Sequence, residues 1–284
     1  MLINAAERAT AAQPIRLRVG THSMVLRYAP GHRRRRHAHP AWEIVVPQAG
    51  WVEWHSDESA VSRTAGVVFP PQLPHLAHSP HGHVSVFIDP WYLGLGPGDR
   101  RAIALDAFTV KKLRALTLSR EDGDPDNVAR DAVALLRRND LLSNAISIDS
   151  RVTAAVHALT AAHRMDQAAS AVGLSSSRFR ALLHQQTGTP PAGLRSWQRF
   201  RVAIQGFPVK PIAQAAVDAG FADQAHLTRT ANRLMGQTPG RLLRDLRDAT
   251  TVRAPDNTSR PHARRGSALR NAHLADEHGT DRAA

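Results

Sequence analysis

A helix–turn–helix pattern occurs twice in the C-terminal half of this chain, about 48 residues apart, with the same punctuation each time. In the first copy, residues 166–173 read as a short Ala-rich helix closing at Gly173. The turn Leu174-Ser175 leads into a second helix from Ser176 to Thr187, with Phe179, Leu182 and Leu183 as its apolar stripe and Gly188 as its stop. In the second copy, Ile212 to Ala219 is helical and Gly220-Phe221-Ala222 turns. Asp223 then caps a helix that carries Leu227, Ala231 and Leu234 inward and ends at Met235-Gly236. Both copies close alike, as Gly188-Thr189-Pro190-Pro191 and Gly236-Gln237-Thr238-Pro239. Chance amphipathicity rarely repeats its stops and turns, so the duplication predicts two small helical units of one kind.

Charge adds a partner class. The net charge is +13, and residues 149–248 carry thirteen Lys and Arg against six Asp and Glu. More than half of the excess therefore lies in about a third of the chain, as expected for a face that meets phosphates. The alternative is a solvated Arg-rich surface. The sequence has no cysteine, which excludes disulfides and thiolate metal sites. No apolar run is long enough to span a bilayer, and Met1 to Gln13 lacks a secretory pattern, so the expected compartment is the cytoplasm, without a membrane partner.

The first third alternates in the manner of strands at Ile15 to Val19, Ser23 to Tyr28, Trp42 to Val46, Trp51 to His55, Ala65 to Phe69 and Val84 to Ile88, with Pro and Gly between them. This spacing predicts a small sandwich or barrel. Residues 100–118 and 125–138 read as helices that pack on the barrel or on a second subunit. Within the β region, His37, His39 and Glu43 follow Gly31, and His75 comes later. If residues 37–39 are extended, His37 and His39 share a face, because side chains alternate with period 2. Three imidazoles and a carboxylate suit a divalent transition metal. By the same alternation Arg33 and Arg35 would face the pocket and favour an anionic effector, with Arg34 and Arg36 facing away. His32, His55, His78, His81 and His83 read as surface or loop residues in a chain of 16 histidines.

The spacing Gly31-x5-His37-x-His39-x3-Glu43-x6-Gly50 resembles the first cupin motif, and Gly66 to His75 resembles the second, with Gln72 where a glycine is usual. The resemblance implies a jelly-roll barrel with His37, His39, Glu43 and His75 as ligands of one divalent metal. The segment Asp218-Ala219-Gly220-Phe221-Ala222-Asp223-Gln224-Ala225-His226-Leu227-Thr228-Arg229, closing at Gly236-Gln237-Thr238-Pro239, resembles the second helix-turn-helix of the AraC/XylS transcription regulators. That resemblance covers residues 150–247 and implies a double-stranded DNA partner read in the major groove. It departs from the family in two respects: the linker from Arg199 to Ile212, with Gly206 and Pro208, is slightly short, and Leu227 and Ala231 stand where Phe is common.

The expected fold class is α+β in two domains, a cupin-like jelly-roll β-barrel followed by an all-α double helix-turn-helix domain. The expected boundaries are 1–97 for the effector-binding barrel, 98–148 for a helical linker or dimerisation region, 149–248 for the DNA-binding domain and 249–284 for a disordered tail. Ser177, Arg178 and Arg180 on the first reading helix, and Gln224, His226, Thr228 and Arg229 on the second, are the candidate DNA contacts. The resulting expectation is a non-enzymatic, homodimeric DNA-binding regulator controlled by a small-molecule or metal effector. Two alternatives remain: a metal-dependent cupin enzyme fused to a DNA-binding domain, and a constitutive DNA-binding protein whose barrel only dimerises it.

Overall fold

The apolar alternation of the first third resolves into two sheets in a computed structural model that describes residues 17–56, 61–118, 123–161 and 164–244. The larger sheet has six strands: β1 (Leu17–Val19), β2 (Ser23–Tyr28), β3 (Trp42–Pro47), β6 (Gly66–Phe69), β8 (His83–Ile88) and β9 (Ile103–Leu105), in the order β1-β2-β8-β3-β6-β9. The smaller has three: β4 (Val52–Ser56), β5 (Ser62–Thr64) and β7 (His75–His78), in the order β5-β4-β7. Strands β5, β7 and β9 are additions to the sequence reading, and all three are only three or four residues long. So short a strand carries too little alternation to be seen without its partners. Residues 15 and 16 of the first expected strand, and the tail 249–284, lie outside the described residues.

Register decides which residues face inward. Met24, Leu26 and Tyr28 pair across β8 with Phe87, Ser85 and His83, and β8 pairs Phe87 with Glu43 and Ser85 with Val45 of β3. Paired residues share a face, so these line the interior. On the other face Val25, Ile44, Val84, Val86 and Ile88 pack against α1 (Ala107–Leu118) and α2 (Pro125–Arg138). Asp124 caps α2, its side chain accepting from the Asp126 N–H, with Pro125 as first helical residue. The expected helix at 100–118 begins only after β9, which extends the barrel sheet beside β6, and α1 and α2 bury their apolar faces on that sheet.

The interior is closed from two sides. The small sheet covers Val45, Val67 and Phe69 with Val52 and Ala77. The remainder, Met24, Leu26, Tyr28 and Phe87, is covered by Trp197, Phe200, Ala203 and Ile204 of α6 (Pro191–Gly206). Each fully buried large apolar side chain contributes on the order of 1.5–3 kcal/mol, so this seam is core. Arg201 on α6 seals it, with Nη1 2.7 Å from Asp89 Oδ2 and Nη2 donating to the carbonyls of Gly20, Thr21 and Ser23. The Trp197 indole N–H donates to Asp89 Oδ1 at 3.0 Å.

The repeat forms as its punctuation dictates. Helices α3 (Arg151–Ala161) and α4 (Met165–Ser170) lead to α5 (Ser176–Thr187), capped by Ser175 and ended by Gly188 at φ 67. Helix α7 (Ile212–Asp218) leads to α8 (Gln224–Met235), capped by Asp223 and ended by Gly236 at φ 67. Helix α6 stops at Gly206, two residues before Pro208, whose ring could not continue it. All described residues fall within one compact unit.

Candidate metal centre and nucleic-acid interface

Four side chains from three places in the chain converge inside the barrel. Glu43 points inward from β3. His37 and His75 form an isolated antiparallel bridge, each donating its backbone N–H to the other's carbonyl at 3.0 and 2.9 Å. The carbonyl of His39 accepts from the Gln72 N–H at 2.8 Å. Gln72 sits at φ 63, keeping the left-handed turn for which a glycine is usual, and its side chain donates to Thr189 Oγ1 of the helical domain. One ligand atom from each of His37, His39, Glu43 and His75 lies within 4.8 Å of the others, and all four residues are buried.

The protons of this cluster do not balance by themselves. His37, His39 and His75 each turn Nδ1 to a backbone carbonyl, of Arg35 (2.9 Å), Ala41 (3.1 Å) and Leu73 (2.8 Å). A carbonyl oxygen only accepts, so each Nδ1 carries a proton, and a ring without a second proton presents a lone pair on Nε2. Yet the Nε2 atoms of His39 and His75 stand 3.1 and 2.8 Å from Glu43 Oε2. An ionised carboxylate also only accepts. Burial pushes the Glu43 carboxyl up, but Arg34, His39 and His75 outweigh it and hold the group well below its usual range, so it is ionised. Burial lowers His39 and His37, with His75 and Arg34 adding to the effect, which opposes charging those rings. An Nε2 lone pair that meets an ionised carboxylate with no proton between them, as at His39, is what a divalent cation satisfies, and a carbonyl behind each Nδ1 is the usual support for a ligating imidazole. The residues fit a metal.

Which arginine enters the site differs from the sequence expectation. Residues 31–36 form no strand, so the alternation assumed for them does not run. Arg33 and Arg35 are exposed, and Arg34 is buried. Its Nη2 donates to Glu43 Oε1 at 2.9 Å, its Nη1 lies 3.3 Å from His37 Nε2, and its guanidinium lies 4.7 Å from the centre of the Tyr28 ring. Ser85 Oγ donates to the same Glu43 oxygen at 2.6 Å. In a run of four arginines nothing local marks the third residue before His37 as the inward one. His32 and His83, expected at the surface, are buried beside Tyr28, with ring centroids 4.7 and 4.6 Å from it. Burial, then Arg34 and Arg241, lowers His32 to about 3.

The cluster also touches the helical domain. The Trp197 indole stacks on the His39 ring, centroids 5.7 Å apart. The Arg35 N–H donates to the Gly236 carbonyl at 2.8 Å, and the Ala38 N–H to that of Arg233 at 3.2 Å. The segment that carries His37 and His39 is therefore bonded to the end of α8. On the outer side, Ser177, Arg178 and Arg180 of α5 are exposed, as are Gln224 and Arg229 of α8, with Thr228 and His226 half-buried. Gln224, Ala225, Thr228 and Arg229 line one shallow concavity.

Residues 150–245 match the family described as "Helix-turn-helix domain". This region is an AraC-type helix-turn-helix domain. In a helix-turn-helix unit the second helix is the one that enters the DNA groove, and the second helices of the two units here are α5 and α8. The solved structure of ToxT from Vibrio cholerae O395 has a similar fold, with TM-score 0.54 and 13% identity over 82% of this chain and 96% of that one. Unsaturated-fatty-acid-bound wild-type ToxT from V. cholerae strain SCE256 gives TM-score 0.55 and 13% identity, covering 80% and 96%. A cupin-like protein from Thermotoga maritima matches 32% of this chain and 74% of its own at 20% identity, with TM-score 0.23. No curated protein matches the sequence. The AraC-type domain follows a β-rich region in one chain, and among the described residues no helix is long and apolar enough to cross a membrane.

Proposed function

We propose that this chain is a sequence-specific transcription regulator whose barrel holds a divalent transition metal at His37, His39, Glu43 and His75 and whose paired helices α5 and α8 read successive major grooves. The geometry of the cluster carries the metal assignment: three imidazoles spend Nδ1 on backbone carbonyls, which leaves Nε2 as the ligand atom, and the four ligand atoms lie within 4.8 Å of one another. A metal there would serve as a reporter, because the space above it is filled. The ligands are buried, and Trp197 of the AraC-type domain lies against His39. A cupin enzyme needs that space for substrate.

On the DNA side, Arg178, Arg180 and Arg229 are the guanine or phosphate readers, Gln224 suits adenine, and Ser177, Thr228 and His226 complete the two faces. Because β9 pairs with β6, the barrel proposed runs to residue 105 rather than 97, followed by a packing region over 106–148 and a reading domain over 149–248. DNA selected from a random pool and then footprinted tests the reading. The expected result is two protected segments about one helical turn apart, weakened by Arg180→Ala in one segment and by Arg229→Ala in the other. Uniform protection that tracks salt alone, with no selected sequence, overturns it.

A further inference from the structure

Arg34 is bound where a metal would need it gone. His37 commits Nδ1–H to the Arg35 carbonyl, which leaves one lone pair, on Nε2, and Arg34 Nη1 lies 3.3 Å from it. Arg34 Nη2 takes one oxygen of Glu43. The guanidinium is thus a cation already placed between two of the four ligands, buried and backed by the Tyr28 ring. One lone pair cannot serve both an N–H and a metal, and a divalent ion beside a buried guanidinium is repelled by it.

We infer that Arg34 is a tethered competitor of the metal, and that its withdrawal from His37 and Glu43 is the step that carries metal occupancy to the second helix-turn-helix unit. The inference rests on the metal reading of the cluster. The peptide that follows Arg34 carries the Arg35 N–H, which donates to the Gly236 carbonyl at the end of α8. Withdrawing a buried guanidinium turns that peptide. The carbonyl of Arg35 is held by His37, and the Ala38 N–H by Arg233, so the ligand segment and the end of α8 move together or part. The contact is close: a Cβ on Gly236 would overlap the Arg35 carbonyl oxygen. With Arg34 seated, α8 is pinned to the barrel at its C-terminal end while its reading face stays exposed. With metal bound, the pin is released and the placement of α8 relative to α5 is free to change, which alters the operator spacing the pair can span.

Two measurements on the full chain test this. Zn²⁺ is titrated calorimetrically into the wild type, Arg34→Met and Arg34→Lys. Arg34→Met keeps apolar contact with Tyr28 without charge, so it should bind Zn²⁺ at least ten-fold more tightly, with Arg34→Lys between. Independently, hydrogen exchange on the wild type reads the Arg35 and Ala38 amides with and without Zn²⁺. Both should exchange at least ten-fold faster with Zn²⁺, while the Gln48 amide, bonded to the Gly82 carbonyl within the barrel, should not change. Equal Zn²⁺ affinity in the wild type and Arg34→Met, or Arg35 and Ala38 amides indifferent to Zn²⁺, overturns the inference and leaves the metal site standing. No Zn²⁺ binding by either protein removes the metal reading and the inference together. If Arg34→Met does not fold, the wild-type exchange result decides alone.

Discussion

The two helix-turn-helix units share their turns and stops in sequence and are unequal in structure. The first closes its own core, with Val152, Val156, Leu159, Phe179, Leu183 and Leu194 drawn from α3, α5 and α6, and Trp91 as the contribution from the barrel side. Among the described residues the second has no separate core: Phe221, Leu227, Ala231 and Leu234 belong to one cluster with Met24, Leu26 and Phe87 of the sheet. Both end at a left-handed glycine of the same φ. Gly188 faces the Pro97 ring, whereas Gly236 lies against the backbone of Arg35. Duplication supplied two helical units, and docking merged the core of one of them with that of the barrel.

That asymmetry can be broken. The largest expected effect is at its seal. Arg201→Ala leaves Asp89 buried and without its cation, which costs about 3–5 kcal/mol. Burial already pushes the Asp89 carboxyl up, with Arg201 and Trp197 opposing, so losing the guanidinium should raise it further. Denaturant unfolding checks this, and a cost under about 1 kcal/mol would place the seal outside the stabilising core.

The matched glycines come next. Gly188→Ala and Gly236→Ala both carry the left-handed penalty of about 1–2 kcal/mol. Only Gly236→Ala should also part the barrel from α8, because the overlap there is with backbone, while the Cβ at Gly188 would meet a proline side-chain carbon at 2.9 Å. Equal losses in the two variants would mean the docking adds nothing. On DNA, Arg180→Ala and Arg229→Ala should each weaken binding by roughly 1–3 kcal/mol if the arginine reads a base. Gel-shift titration at fixed salt is the measurement, and wild-type affinity removes that residue from the reading face.

Acid should loosen the docked unit through His32. Its folded value is lowered to about 3, below the ordinary 6.5, so between those limits the unfolded chain binds a proton that the folded one does not. Stability therefore falls as pH drops below about 6.5, by about 1.4 kcal/mol per pH unit for this residue. His32→Gln should flatten the slope between pH 6.5 and 4 by that amount, measured from denaturant midpoints; an unchanged slope contradicts it. The smallest effect is expected at Gln72→Gly, which relieves a left-handed Gln at about 1 kcal/mol but gives up the link to Thr189 of the first unit.

What the sequence disclosed and withheld follows from the range of the interactions. Caps and stops are local, so Ser175, Gly188, Asp223 and Gly236 mark the ends of α5 and α8 within a residue. The strands of five or six residues, β2, β3, β4 and β8, were legible for the same reason. The four candidate ligands announce themselves by residue type and spacing. Arg34 does not, because its inward turn depends on a loop whose phase only Tyr28, Glu43 and His37 together define. Trp197 is likewise silent in sequence: it reads as one more apolar residue of a linker helix, and only the open half of the barrel reveals what it covers.

The central claim is that metal in the barrel changes how the paired helices hold DNA. It is tested most directly by the affinity of the full chain for its selected DNA, at one salt concentration, with Zn²⁺ and with chelator, beside the His75→Ala variant. The account predicts that Zn²⁺ shifts the wild-type affinity at least ten-fold and leaves His75→Ala unmoved. Identical wild-type affinities in Zn²⁺ and chelator, with Zn²⁺ shown to be bound, would contradict it.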